Sequence, residues 1–173
     1  PETQRSTPPE YSPGLPERIA GFRVLRRVGA GGMGIVYEAE QLAPRRRVAL
    51  KVMHPTLTSP EALKRFELEA AVLARLQHPG IARVFECGAF DLGRGAQPYI
   101  AMEFLDGESL RDRLRGRGVT RAEALQIGAK LASTLAVVHE KRIIHRDLKP
   151  ENVMLCLRSS KQTPVVSALG SVS

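Results

Sequence analysis

Two kinds of hydrophobic patterning alternate along the chain: short runs rich in β-branched residues, and longer stretches with apolar residues at helical spacing. Phe22-Arg23-Val24-Leu25-Arg26-Arg27-Val28, Ile35-Val36-Tyr37-Glu38-Ala39-Glu40 and Arg47-Val48-Ala49-Leu50-Lys51-Val52-Met53 have the length and residue types of strands. Gly29-Ala30-Gly31-Gly32-Met33-Gly34 joins the first two, which predicts a hairpin with glycines at its tip. Ser59, Pro60 and Glu61 read as a helix start, with a serine cap and proline in the first turn. Phe66, Leu73 and Leu76 then recur at helical spacing, and Glu69 falls on the same face. Thr120-Arg121-Ala122-Glu123 is a capping box. It opens a second helix through Leu125, Ile127, Leu131, Leu135 and Val138, predicted to run to about Lys141.

Outside these elements the chain changes character. Residues 1–18 hold five prolines among Ser, Thr and Glu, too little apolar surface to offset ordering, and read as a disordered leader. From 156 to 173 the chain is Ser-rich and predicted to be an irregular tail. Hydrophobic residues at 43% and charged residues at 25% match an ordinary soluble domain, and no apolar run reaches membrane-spanning length. Cys87 and Cys156 show no metal spacing and read as reduced thiols of a cytoplasmic protein. The net charge of +8 draws on Arg45-Arg46-Arg47 and on Arg111, Arg113, Arg115, Arg117 and Arg121. No interleaved aromatics or nucleic-acid module accompany them, so they read as solvated loops and helix ends rather than a nucleic-acid surface.

Three groups of residues carry chemistry. The G-x-G-x-x-G of Gly29, Gly31 and Gly34 is followed by strand-like Ile35-Val36-Tyr37, not by the helix of a dinucleotide fold. Glycines at a hairpin tip let backbone N–H groups approach phosphates. Lys51 sits in an apolar run, where a cation is costly unless paired, and Glu69 is the economical partner. Lastly, His145-Arg146-Asp147-Leu148-Lys149-Pro150-Glu151-Asn152 places a base, cations and an amide in eight residues. Pro150 keeps them out of a regular helix, so a bent loop can aim Asp147, Lys149 and Asn152 at one place.

Together these segments resemble the ordered signature of protein kinases: the glycine motif, Val48-Ala49-x-Lys51, Glu69, and the H-R-D-x-x-x-x-N catalytic loop. Gly29 to Ala39 resembles bacterial serine/threonine kinases of the eukaryotic type, and Lys149, two after Asp147, is similar to the serine/threonine branch. The resemblance covers roughly Phe22 to Leu155. It implies an α+β, protein-kinase-like fold with a complete N-lobe, an antiparallel sheet plus one helix, over 19–104. Only the first part of the helical C-lobe follows, over 105–155. It implies ATP and magnesium as cofactors and a protein Ser/Thr hydroxyl as acceptor. Asp147 would orient that hydroxyl, Lys149 would steady the transferring phosphate, and Asn152 would hold a metal. Lys51, fixed by Glu69, would hold the α/β-phosphates beneath the glycines, with Val36, Ala49 and Met154 against adenine. Met102 would be the gatekeeper, and Glu103 and Leu105 would offer backbone groups to the base.

The pattern breaks after Asn152. No Asp or Glu follows Glu151, and no D-F-G or A-P-E is present. Ala168-Leu169-Gly170 stands near the D-F-G place, either as a decayed copy or as a tail from a shifted frame. Asn152 alone is a poor magnesium ligand. The chain therefore reads as a truncated kinase domain of reduced or absent activity. The alternatives are a pseudokinase fragment that binds nucleotide or serves interaction, and a broken gene product. The helix from Thr120 would lack its usual packing neighbours, which predicts exposed apolar surface and a partner that covers it.

Overall fold

The computed structural model describes residues 15–31, 34–54, 64, 70, 74, 77–91, 95–143, 145, 148–158 and 161–166. Six strands form an antiparallel sheet: β1 (Arg18–Ile19), β2 (Phe22–Gly31), β3 (Gly34–Leu42), β4 (Arg45–Met53), β5 (Val84–Asp91) and β6 (Ala96–Glu103). Their order is β1-β2-β3-β4-β6-β5. The glycine segment forms the β2–β3 hairpin, with Gly31 opposite Gly34. Of the helix expected between β4 and β5, only Lys64, Ala70 and Ala74 are described, each helical. Its cap at Ser59 and its positions Phe66, Glu69, Leu73 and Leu76 lie outside the described residues.

Alternation along the strands sorts residues between two faces. Tyr37 and Ala39 of β3, with Val48, Leu50 and Val52 of β4, pack against Phe22, Val24 and Tyr99 on one side. Val36 with Ala49 and Lys51 face the other side, which forms the site. A bulge between Val24 and Arg26 breaks the alternation in β2, and Val24 and Leu25 are both buried. Buried Tyr99 donates its hydroxyl to Glu86 at 2.6 Å.

Below the sheet lie α1 (Leu110–Arg115) and α2 (Arg121–Glu140). The expected capping box is present at the start of α2: Glu123 N–H donates to Thr120 Oγ1 at 3.2 Å, and Thr120 N–H donates back to Glu123 Oε2 at 2.8 Å. Val138 near its end joins Met53, Ile81 and Ile100 in a second core that ties the helix to the sheet. Thr134 is the other buried position of α2; towards its start the helix is open, and Leu125 is 66% exposed.

The tail corrects the expectation of irregular structure from 156 onward. β8 (Val153–Arg158) pairs with β9 (Lys161–Val166), and β7 (Gly107–Ser109) pairs with β8 on its other side. Pro164 lacks an N–H, yet β9 is an edge strand, where proline is tolerated. Val165 is fully buried beside Cys156 and Ala82. Ala168-Leu169-Gly170 lies outside the described residues.

The arginines also depart from the solvated-loop reading. Arg45, Arg46 and Arg47 lie in β4, where they pair with Glu40, Gln41 and Glu38 of β3. Arg113 is 3% exposed and reaches Glu108 and Glu123. In each case a neighbouring element supplies a carboxylate or amide that the local sequence does not reveal.

Candidate active site

A cleft of about 760 Å³ opens between the six-stranded sheet and the segment from Lys149 to Met154. Its roof is the glycine hairpin and the strands beside it: Gly29, Gly34, Val36, Ala49 and Lys51. Gly34 permits this roof for a steric reason. Its φ is +153°, and a Cβ there would lie 2.1 Å from the Val52 carbonyl oxygen. Gly29 has open space around it, so the absence of a side chain there serves the cleft and not the packing.

The rear and edge come from β6 and the segment after it: Met102, Glu103 and Leu105. Met102 is buried at 3% exposure. The Glu103 N–H donates to the Arg83 carbonyl at 2.8 Å, which ties the end of β6 to the segment before β5. From below, Lys149, Asn152 and Met154 enter. Lys149 precedes and Asn152 ends a 3₁₀ turn, Pro150–Asn152, closed by the Asn152 N–H donating to the Lys149 carbonyl at 2.9 Å. Proline in the first turn blocks an extended helix and leaves Asn152 at the cleft.

Eleven of the expected site residues thus line one cavity, although they come from segments more than a hundred positions apart. Gly31 ends β2 at the hairpin tip. Glu69 and Asp147 lie outside the described residues. Lys51 is 8% exposed and lies between Val36 and Ile100 in the sheet register.

Arg26, Val28, Phe104, Asp106 and Glu151 line the cleft without having been singled out in the sequence. Val28 directly precedes the first motif glycine, a signal that could have found it. Burial works against the Arg47 charge, but Glu38 and Asp106 outweigh it, and its pKa lies above the ordinary arginine value. Glu151 is joined to Arg111 of α1 at 3.0 Å.

A roof of glycine backbone, an apolar slot and a lysine deep in it suit a nucleotide. The fit to a hard cation is poorer. Among the described residues no three His, Cys, Asp or Glu side chains cluster as a metal site, and Asn152 supplies one amide.

The sequence family defined by the protein kinase domain matches residues 22–164, most of the chain and onto β9. The chain belongs to the protein kinase family. This kinase chain is 44% identical over 135 residues to the serine/threonine-protein kinase pkn2 of Myxococcus xanthus, covering 78% of the chain and 16% of that protein. It is 40% identical over 138 residues to PknJ of Mycobacterium tuberculosis, covering 79% of the chain and 23% of that protein. Among solved structures, the kinase domain of Mycobacterium tuberculosis PknI superposes with a TM-score of 0.77 at 33% identity, covering 90% of this chain and 62% of that one. These relatives place the kinase on the bacterial, eukaryotic-type serine/threonine branch. The chain spans less than a quarter of the two curated relatives and about three fifths of the solved domain. No helix among the described residues is long and apolar enough to cross a membrane.

Proposed function

We propose that the cleft binds ATP and that the chain carries the phosphate-transfer machinery of a serine/threonine protein kinase, acting on a protein hydroxyl. One observation carries this reading: the glycine roof, Lys51, and the Lys149–Asn152 turn meet in one cavity. The adenine would lie between Val36 and Ala49 above and Met154 below, with Met102 behind it. The Glu103 carbonyl and Leu105 backbone would take its polar edge. Lys51 would hold the α/β-phosphates, supported by Glu69, while the glycine backbone covers them. Asp147 would orient the incoming hydroxyl and accept its proton, and Lys149 would balance charge on the moving phosphate. Bound magnesium would neutralise phosphate charge, with Asn152 as one ligand. ATP as the donor places the reaction in the cytoplasm, and a partner covering α2 around Leu125 belongs to the same reading.

The test is phosphate incorporation from labelled ATP into a Ser/Thr protein by the purified chain. Incorporation that disappears in Lys51→Met and Asp147→Asn supports transfer, and equal incorporation in all three defeats it. A second reading, nucleotide binding without transfer, is favoured because no three His, Cys, Asp or Glu side chains cluster to hold a cation among the described residues. ATP binding that is indifferent to magnesium, with no incorporation, would select that reading.

A further inference from the structure

The strands that roof the cleft carry charge at its mouth. Along β3, Val36 is followed two positions on by Glu38. Along β4, Ala49 is preceded two positions back by Arg47. The period of two puts these charged groups on the cleft-facing side of the sheet, just beyond the apolar slot.

Glu38 is 1% exposed, and a carboxylate that deep needs compensation. Two arginines provide it. Arg26 Nε of β2 lies 2.7 Å from Glu38 Oε2, and Arg47 Nη2 lies 2.6 Å from Glu38 Oε1. Arg47 also reaches out of the sheet. Its two terminal nitrogens donate to Asp106 at 3.2 and 3.3 Å, and its guanidinium stands 4.5 Å from the centre of the Phe104 ring. Phe104 and Asp106 are the residues on either side of Leu105, and all three line the cleft. They have no regular secondary structure.

We propose that Arg47 is a positioning residue for base recognition. Anchored on Glu38, it grips the residues on both sides of Leu105 and so fixes the backbone that meets the purine. The inference rests on the nucleotide reading of the cleft. Asp106 is 76% exposed, and an ion pair so open adds little to stability. What the contact supplies is geometry. A planar fork that stacks on a ring and bonds a carboxylate through two nitrogens sets direction as well as distance, which lysine cannot do.

The experiment compares ADP and GDP affinity by calorimetry for the wild-type chain, Arg47→Lys and Asp106→Asn, with a melting curve for each. Arg47→Lys keeps a positive charge beside Glu38 and loses the fork. Asp106→Asn changes only the exposed end. The expected result is a wild-type preference for ADP. Both variants then lose about three- to tenfold in ADP affinity, the weight of one weakened hydrogen bond, while GDP affinity holds; the melting temperature holds in Asp106→Asn, which leaves the Glu38 contacts intact. An ADP-to-GDP ratio equal to wild type in both variants overturns the inference and leaves the nucleotide reading standing. A parallel loss for both nucleotides marks general damage and also overturns it. A wild-type chain that binds no ADP removes the nucleotide reading itself, and this inference with it.

Discussion

Gly80 lies against Thr134: a methyl group added to its α-carbon would meet the threonine hydroxyl at 2.2 Å. Both residues are buried, and the contact joins the loop before β5 to the middle of α2. The Thr134 hydroxyl is itself held, donating to the Lys130 carbonyl at 2.9 Å. Gly80→Ala should therefore destabilise the fold by about 1–3 kcal/mol, the usual range for overpacking. Thr134→Ala removes the obstructing atoms. In urea denaturation the double variant should lose less than the two single losses added, and strict additivity would show that the contact does not exist.

The two outer motif glycines should separate in their effects. Gly34→Ala places Cβ against backbone, which cannot swing away, and should cost about 1–3 kcal/mol of stability along with nucleotide affinity. Gly29→Ala meets nothing within 4 Å. It should leave the melting curve in place and weaken ADP binding about tenfold or more, because it obstructs a charged ligand's hydrogen bonds. Paired melting and calorimetry measurements would check both.

Arg113 is the buried cation of the lower layer, linking Glu108 at the end of the cleft segment to Glu123 at the start of α2. Arg113→Ala should cost about 2–3 kcal/mol, somewhat under the full value for breaking a buried pair, since both carboxylates retain some contact with water. Chemical denaturation measures this directly. A loss under half a unit on that scale would mean that the arginine is dispensable.

The α2 capping box should respond to acid. The Thr120 backbone and hydroxyl, with Arg117 nearby, hold the Glu123 carboxyl below its ordinary value of 4.5. A depressed folded-state pKa contributes stability that is complete above 4.5 and drains away as pH falls through the lower folded value. Glu40, held down by Arg45 and Arg23, adds to the loss in the same window. Melting temperature should be flat from neutral pH to about pH 5 and fall below it. Glu123→Gln keeps a side-chain oxygen to accept from the Thr120 N–H and should shallow the fall.

Much of the site was legible because its residues are defined by short local patterns. Glycines at a hairpin tip, one lysine in an apolar strand and a proline-bent polar loop each announce a backbone requirement. The capping box likewise placed the start of α2. What escaped depended on neighbours distant in sequence. Glu38 stands in a strand-like run that holds no cation of its own, and Arg26 and Arg47 on the flanking strands allow it to be buried. β9 falls in a stretch that reads as an irregular tail with only Val165-Val166 strand-like, and pairing with β8 extends the strand back to Lys161. Arg113 reads as solvated until Glu108 and Glu123 are brought to it by β7 and α2.

Gly107 allows β7 to lie flush on β8, since a methyl group there would strike the Leu155 carbonyl at 2.3 Å. Glu108 pairs with Leu155 and Ser109 with Met154. The strand leaving Leu105 and the strand leaving Asn152 are therefore rungs of one ladder. In the proposed nucleotide reading, a displacement at the base-binding end would reach the phosphate-transfer end through the paired main chain of β7 and β8. Filling the cleft should accordingly slow amide exchange at both ends in step, as a single cooperative unit.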